Sequence, residues 1–368
     1  MPSSTQPHGT TTIVATVFLC LAPLLALADT PPRSATEIAP GVYVIRHPDA
    51  PDAFPQGNTT VVVGERSVLV VDTCYLPSSA REDIAQIRKW TKKPVRYLVN
   101  THWHEDHVLG NSTYIDAFPD VEVIAHVETA RQARGNFPQY LGRYPQRAER
   151  LQKLIDTGKD DNGRALLQGE IAELKTAVTG TAPVGVEFAM LVPRIDDLVP
   201  RTTFDGELDL DLGHREVQLK FLGRGNTAGD IVAWLPKENI VVAGDLLDAP
   251  VPYLGGGFPR EEVATLRKMA ALQPKIIVPG HGDVLHGTDH LVAVTGFIAN
   301  IVDVVDRSMY DPAYNKTVED MQKAVEAQVD IASWRKRLAG DDAEAIDLFD
   351  GFSLPGVIRA AYYQFKGR

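Results

Sequence analysis

The sequence predicts an α+β fold: two β-sheets packed face to face and covered by helices, with a helical insertion between the halves and a helical C-terminal tail. Three observations carry this. Two halves of the chain hold short apolar runs of strand length, rich in valine and isoleucine. Between them, Leu151, Leu154 and Ile155, then Leu167, Ile171, Leu174 and Val178, recur at helical spacing. After residue 287, Leu291, Val294, Ile298, Ile301 and Val305 form one apolar helical face. Sheets with an apolar face need a covering layer, and two such halves satisfy each other.

The elements follow in order. Residues 1–28 read as a leader and 29–40 as a Pro-rich linker. Strands are expected at "VYVI" (42–45), "TTVVVG" (59–64) and "SVLVVDT" (67–73), with "GER" (64–66) as a hairpin turn. Pro77 opens a helix that runs to about Trp90, with Ile84 and Ile87 on one face. "VRYLVN" (95–100) and "VEVIAH" (121–126) are further strands. Residues 127–196 form the insertion, read as two helices joined by "DTGKDDNG". Two roles stand for it: a cover over a site, or a packing appendage. "REVQLKFLG" (215–223), "DIVAWLP" (230–236), "NIVVAGD" (239–245) and "KIIVPG" (275–280) resume the strands, with a helix at about 260–271. The main domain spans 41–290 and the helical extension 291–368. In the tail, Thr317 and Asp320 fit a helix cap.

Composition narrows the function classes. The chain has 368 residues, 44% of them hydrophobic, and a formal net charge of −11. That permits a sizeable core. Without a basic run, an acidic chain is a poor partner for a phosphate backbone, which argues against nucleic-acid processing. Residues 13–28, "IVATVFLCLAPLLALA", end in a small-x-small pattern at Ala26 to Ala28 and read as a secretory signal peptide. The rival is an uncleaved anchor, but Pro23 breaks the run, which falls short of the roughly 20 residues a spanning helix needs. A secreted or periplasmic location with no stable membrane insertion is therefore expected. Of the two cysteines, Cys20 leaves with the leader, so the mature chain keeps one thiol, Cys74.

One stretch carries chemistry: "NTHWHEDHVLGN", residues 100–111, crowds three histidines and two acids into His102–His107. His102 and His104 alternate, so in an extended segment both reach one cation. Asp106 and His107 follow a turn and can face a second. Imidazole and carboxylate suit zinc, with iron or manganese as alternatives. One loop cannot close two sites, so distant ligands are required. His281 in "VPGHGDV" and Asp245 in "VVAGDLL" each follow a buried strand, and an acid there is costly to bury without a cation.

"THWHEDH", "GRGNTAGD", "AGDLL" and "VPGHG", in this order, resemble the metallo-β-lactamase superfamily across roughly residues 40–290. The resemblance implies a four-layer αβ/βα sandwich with a zinc centre at one edge of the sheets. It assigns His102 and His104 to a first metal, Asp106, His107 and His281 to a second, Asp245 to a bridge between them, and Asp72 in "VVDT" to a supporting place behind the ligands. One position departs: the usual G-H-T is here Gly225-Asn226-Thr227. Asn226 offers only a neutral amide, as a weak ligand or as an oxyanion contact. Three states stay open: two zincs with a loosened first site, one zinc in the second, or a site without its chemistry.

The resulting reading is a secreted zinc hydrolase acting on a small-molecule ester, lactone, thioester or lactam. A metal-bound water of lowered pKa attacks an activated carbonyl, with Asp106 as the catalytic carboxylate that orients it. A β-lactamase is one alternative, weakened because Asp248 stands where many β-lactamases of the family carry a lysine. A non-hydrolytic metal-binding accessory protein is another. Tyr253 and Phe258 in "DAPVPYLGGGFP" are candidates for substrate contact, with loop packing as the rival. The oligomeric state is left open.

Overall fold

The computed structural model describes residues 32–50, 54–142, 152–159 and 184–367, together with Ile171 and Lys175. Residues 1–31, with the expected leader, and much of the inner insertion, including the expected Leu151, Leu167, Leu174 and Val178, lie outside the described residues. Two sheets stack in the centre. The first runs β1(Ser34–Ala39), β2(Val42–Arg46), β3(Thr59–Val63), β4(Val68–Val71), β5(Val95–Val99), β6(Glu122–His126) and β7(Thr202–Phe204), in sequence order across the sheet. Pairing is antiparallel up to β4 and parallel from β4 to β7.

The second sheet holds β8(Glu207–Asp211), β9(Glu216–Lys220), β10(Val232–Leu235), β11(Ile240–Gly244), β12(Ile276–Pro279) and β13(Leu285–His286), with β11 and β12 parallel and the other pairs antiparallel.

Alternation along the strands builds the layers. In β4, Leu69 and Val71 face the second sheet, while Val68 and Val70 face Ile84 and Ile87 of helix Pro77–Trp90. In β11, Ile240 and Val242 enter the inter-sheet core, while Val241 and Ala243 turn outward to helices Pro259–Ala271 and Asp289–Tyr310. The order is helix, sheet, sheet, helix. The tail continues with helices Val318–Gln328, Ile331–Ala339, Ala343–Leu348 and Leu354–Phe365, and its Phe297, Phe349 and Val357 join the outer core.

Two expectations need correction. Ser34–Ala39 is not linker: it pairs with β2, Thr36 opposite Val44. Four of its six side chains are exposed, so it carries no apolar signature. The insertion starts at residue 127, as expected, but holds more than the two helices read for it. It opens with helix Val127–Gly142, whose buried Phe137 and Leu141 pack with Phe188 and Leu191 of helix Val184–Leu191. That group reaches Tyr75, Val108 and Leu109, so the described ends of the insertion pack against the segment holding the histidine cluster.

Thr317 and Asp320 form a reciprocal capping box at helix Val318–Gln328. Thr317→Ala should cost about 1 kcal/mol in urea denaturation and leave metal content unchanged, because the cap lies in the tail.

Candidate metal centre

The site forms where strands end. Asp72 follows β4, His102 follows β5, Asp245 follows β11 and His281 follows β12. Asp72 sits at φ 62°, a left-handed conformation that aspartate tolerates better than most residues. Its carboxylate accepts from Thr101 N (2.8 Å), Thr101 Oγ1 (2.7 Å) and His107 Nδ1 (3.0 Å). Thr101 Oγ1 thus spends its proton on Asp72 and accepts from His102 Nδ1 at 3.0 Å. Both imidazoles are held with Nε2 free, the form a metal ligand needs.

The free nitrogens meet carboxylates in two groups. His102, His104 and Asp245 form one; Asp106, His107, Asp245 and His281 form the other. Asp245 belongs to both. Its Oδ2 lies 3.3 Å from His102 Nε2 and 4.0 Å from His104 Nδ1, and its Oδ1 lies 3.0 Å from His107 Nε2 and 3.7 Å from His281 Nε2. Asp106 Oδ2 lies 2.9 Å from His281 Nε2 and 3.4 Å from His107 Nε2.

These contacts fit a metal better than a hydrogen-bond network. His102 Nε2 and Asp245 Oδ1 are buried without a hydrogen-bond partner, despite their proximity to oppositely polar atoms. His107 Nε2 and His281 Nε2 face each other at 3.3 Å. Converging lone pairs and an orphaned carboxylate oxygen call for a shared cation.

Electrostatics agree. Burial opposes ionisation of Asp245, but His107, His102 and His281 hold its carboxyl well below the usual range. Asp106 is likewise lowered against burial, chiefly by His107. Burial disfavours a charged His281, yet Asp245 and then Asp106 raise it from 6.5 to about 9.

Asn226 reaches the first group. Its Nδ2 donates to Asp245 Oδ2 at 3.2 Å and lies 3.4 Å from His104 Nδ1, while its Oδ1 is buried and unpartnered. A half-turn of the amide brings that oxygen to the same point. The loop is held by Asp230, which accepts from Thr227 N (2.7 Å) and Thr227 Oγ1 (2.9 Å).

Tyr253 and Phe258 sit on the loop that packs on Asn226 through Gly257. Each is also engaged in packing: Tyr253 stacks on Phe352 at 4.5 Å, and Phe258 lies 4.2 Å beneath the Arg224 guanidinium. Asp248 is buried, its Oδ1 accepting from His281 N at 3.2 Å. Burial, then Asp245, pushes its carboxyl well up.

Several supporting residues escaped sequence reasoning. Asn100 and Asn111, the two ends of the quoted stretch, bond each other through both amides, and Asn111 Oδ1 also accepts from Thr73 Oγ1 at 2.9 Å. Trp103 stands edge-on to His104 at 4.9 Å and meets Phe137 of the insertion at 6.2 Å. Gly57 lies flat on the His107 ring: a Cβ there would stand 2.5 Å from Cε1. Gly57 N donates to Asp106 O (3.1 Å), and the next residue's N donates to Gly280 O (2.7 Å), so this segment joins the two ligand loops.

A sequence model of the metallo-beta-lactamase superfamily matches residues 53–281. A linear primary-alkylsulfatase of Pseudomonas sp. (strain ATCC 19151) is 25% identical over 242 residues, 64% of this chain and 43% of that protein. A type 2 metallo-beta-lactamase of Bacteroides fragilis is 35% identical over 108 residues, 28% of this chain and 43% of that protein. The chain thus spans less than half the length of these curated relatives. A solved metallo-beta-lactamase from Pontibacter korlensis superposes with TM-score 0.51 at 18% identity, covering 73% of this chain and 99% of the other, a likeness of fold.

Two outcomes are expected. Gly57→Ala should push His107 aside and lower the metal-to-protein ratio measured by elemental analysis; an unchanged ratio would contradict the packing account. The raised His281 pKa stabilises the metal-free fold fully below about pH 6.5, and that contribution is lost as pH rises through about 9. The Tm of chelator-stripped protein should therefore fall across this window, and that of metal-loaded protein should fall less.

Proposed function

The chain belongs to the metallo-β-lactamase superfamily, and from that premise we propose that it is a metal-dependent hydrolase holding two zinc ions. The observation that carries this is Asp245, whose two carboxylate oxygens face two separate sets of nitrogens. His102, His104 and Asp245 would hold the first ion, and Asp106, His107, Asp245 and His281 the second. Bound there, the ions would supply an activated water and a Lewis acid for a carbonyl oxygen.

The chain's own residues do the rest. Asp72 and Thr101 keep the imidazoles of His107 and His102 in the metal-binding tautomer. Asp106 orients the attacking water and takes its proton. The Asn226 amide N–H, beside Asp245, donates to the oxyanion of the tetrahedral intermediate. Substrates are small activated carbonyl compounds: esters, lactones, thioesters or lactams. A β-lactam role is the weaker reading, because the buried carboxyl of Asp248 is a poor seat for a substrate carboxylate. The alkylsulfatase relative adds sulfate esters to the compounds worth testing.

Chelator-sensitive turnover of a chromogenic ester, lactone, thioester, lactam or alkyl sulfate would support hydrolysis. Metal-loaded protein inert towards all five would favour a metal-binding accessory role. On a turned-over substrate, Asp106→Asn should lower kcat by about 10²–10⁴-fold. Asn226→Ala should lower it by about 10²-fold if the amide stabilises the oxyanion. An unchanged kcat at unchanged metal content would remove Asn226 from that role.

A further inference from the structure

Behind the candidate centre, on the helix-covered face of the first sheet, lies a second group of chemistry-bearing side chains that the proposed hydrolysis does not use. His47 follows β2, Cys74 follows β4, and Asp83 belongs to helix Pro77–Trp90. One ligand atom from each lies within 4.8 Å of the others. The His47 and Asp83 side chains are 0% exposed, and so is Cys74. We propose that His47, Cys74 and Asp83 form a separate structural metal site that takes a zinc-class divalent ion.

Four features of the geometry point to this. First, His47 Nδ1 lies 2.9 Å from Gly57 O, a pure acceptor, so Nδ1 carries a proton. Ligand histidines are commonly fixed in this way by a backbone carbonyl. Second, Nε2 faces Asp83 Oδ2 at 2.9 Å. Nε2 and this carboxylate meet either through a ring proton or through a shared cation, and the neighbouring thiol favours the cation. The same spacing joins His281 Nε2 to Asp106 Oδ2 in the first centre, also 2.9 Å.

Third, Cys74 has φ 61°, a left-handed conformation that a residue with a Cβ rarely takes. Such strain persists where the surrounding structure over-determines it, often at ligand clamps. Fourth, the Tyr114 hydroxyl is buried with no hydrogen-bond partner among the described residues. Burial, then the charges of Asp83 and Cys74, pushes the phenol well up. A lone proton between His47 and Asp83 would not require the thiol beside them.

The donor set of thiolate, imidazole and carboxylate suits zinc. On binding, the thiol, which now donates to Leu76 O at 3.6 Å, releases its proton to solvent. Thiolate and carboxylate then offset most of the charge of the ion and of the Arg33 guanidinium on Asp83. Arg33 Nη2 holds Asp83 Oδ1 at 2.7 Å, which leaves Oδ2 for the ion. A metal here would pin the ends of β2 and β4 to the helix. Through His47 and Gly57 it would also brace the ring of His107.

Cobalt(II) loading of the full chain tests this. A near-ultraviolet thiolate-to-cobalt charge-transfer band requires a sulfur ligand, and the first centre has none. The band should appear in the unmodified protein and vanish in Cys74→Gly. That variant suits the left-handed backbone, so folding should be preserved, as circular dichroism would show. Zinc-loaded Cys74→Gly should hold one ion fewer than the unmodified chain, whatever the first centre holds. No band in the cobalt-loaded protein, or a band that survives Cys74→Gly, would overturn the proposal and leave a proton between His47 and Asp83.

Discussion

A carboxylate shut away from water among imidazoles is the interaction on which the rest of the molecule depends. Asp245 is 5% exposed, and one of its oxygens has no hydrogen-bond partner. An anion so placed is costly unless a cation or a full set of donors meets it. Here the neighbours are ring nitrogens of His102, His104, His107 and His281, drawn from two loops far apart in the chain. Both sheets must be formed and in register before these groups meet.

The fold serves that meeting at short range. Val71 of β4 pairs with Val99 of β5, so Asp72 and Thr101 leave neighbouring strand ends together and bond each other. Ile231 N donates to Thr101 O at 3.0 Å, tying the start of β10 in the second sheet to the histidine loop of the first. Where backbone must come close, glycine is required: a Cβ on Gly280 would stand 2.0 Å from Asp245 Oδ1. The insertion adds support by packing Phe137 towards Trp103, next to His104.

Much of this was legible in the sequence because the signals were local. Buried strands such as "VLVV" and "IVVA" announce themselves by apolar runs, and the crowded loop at 102–107 announces a cation. Asp245 and His281 stood out because a polar residue directly after a buried strand needs a reason. Elements without a continuous apolar run stayed hidden. β1 exposes most of its side chains, β13 has two residues, and β8 alternates as "ELDLD" without an apolar run. The bracing groups were hidden for another reason. Asn100 and Asn111 bracket the motif, but their pairing depends on the turn between them. Gly57 touches the site through its backbone, and the His47 ring reaches it through the Gly57 carbonyl, contacts made across the fold. Tyr253 illustrates the converse: its loop, which follows Asp245 in sequence, was readable, but its stacking on Phe352, 99 residues further along, was not.

The central claim is that one carboxylate serves two metal ions. Crystals of the zinc-loaded protein, with anomalous scattering collected at the zinc edge, test it most directly. The account predicts two peaks about 3.5–4 Å apart, with Asp245 Oδ2 on the peak beside His102 and Oδ1 on the peak beside His107. A single peak between the loops, or two peaks with Asp245 bound to only one, would contradict it.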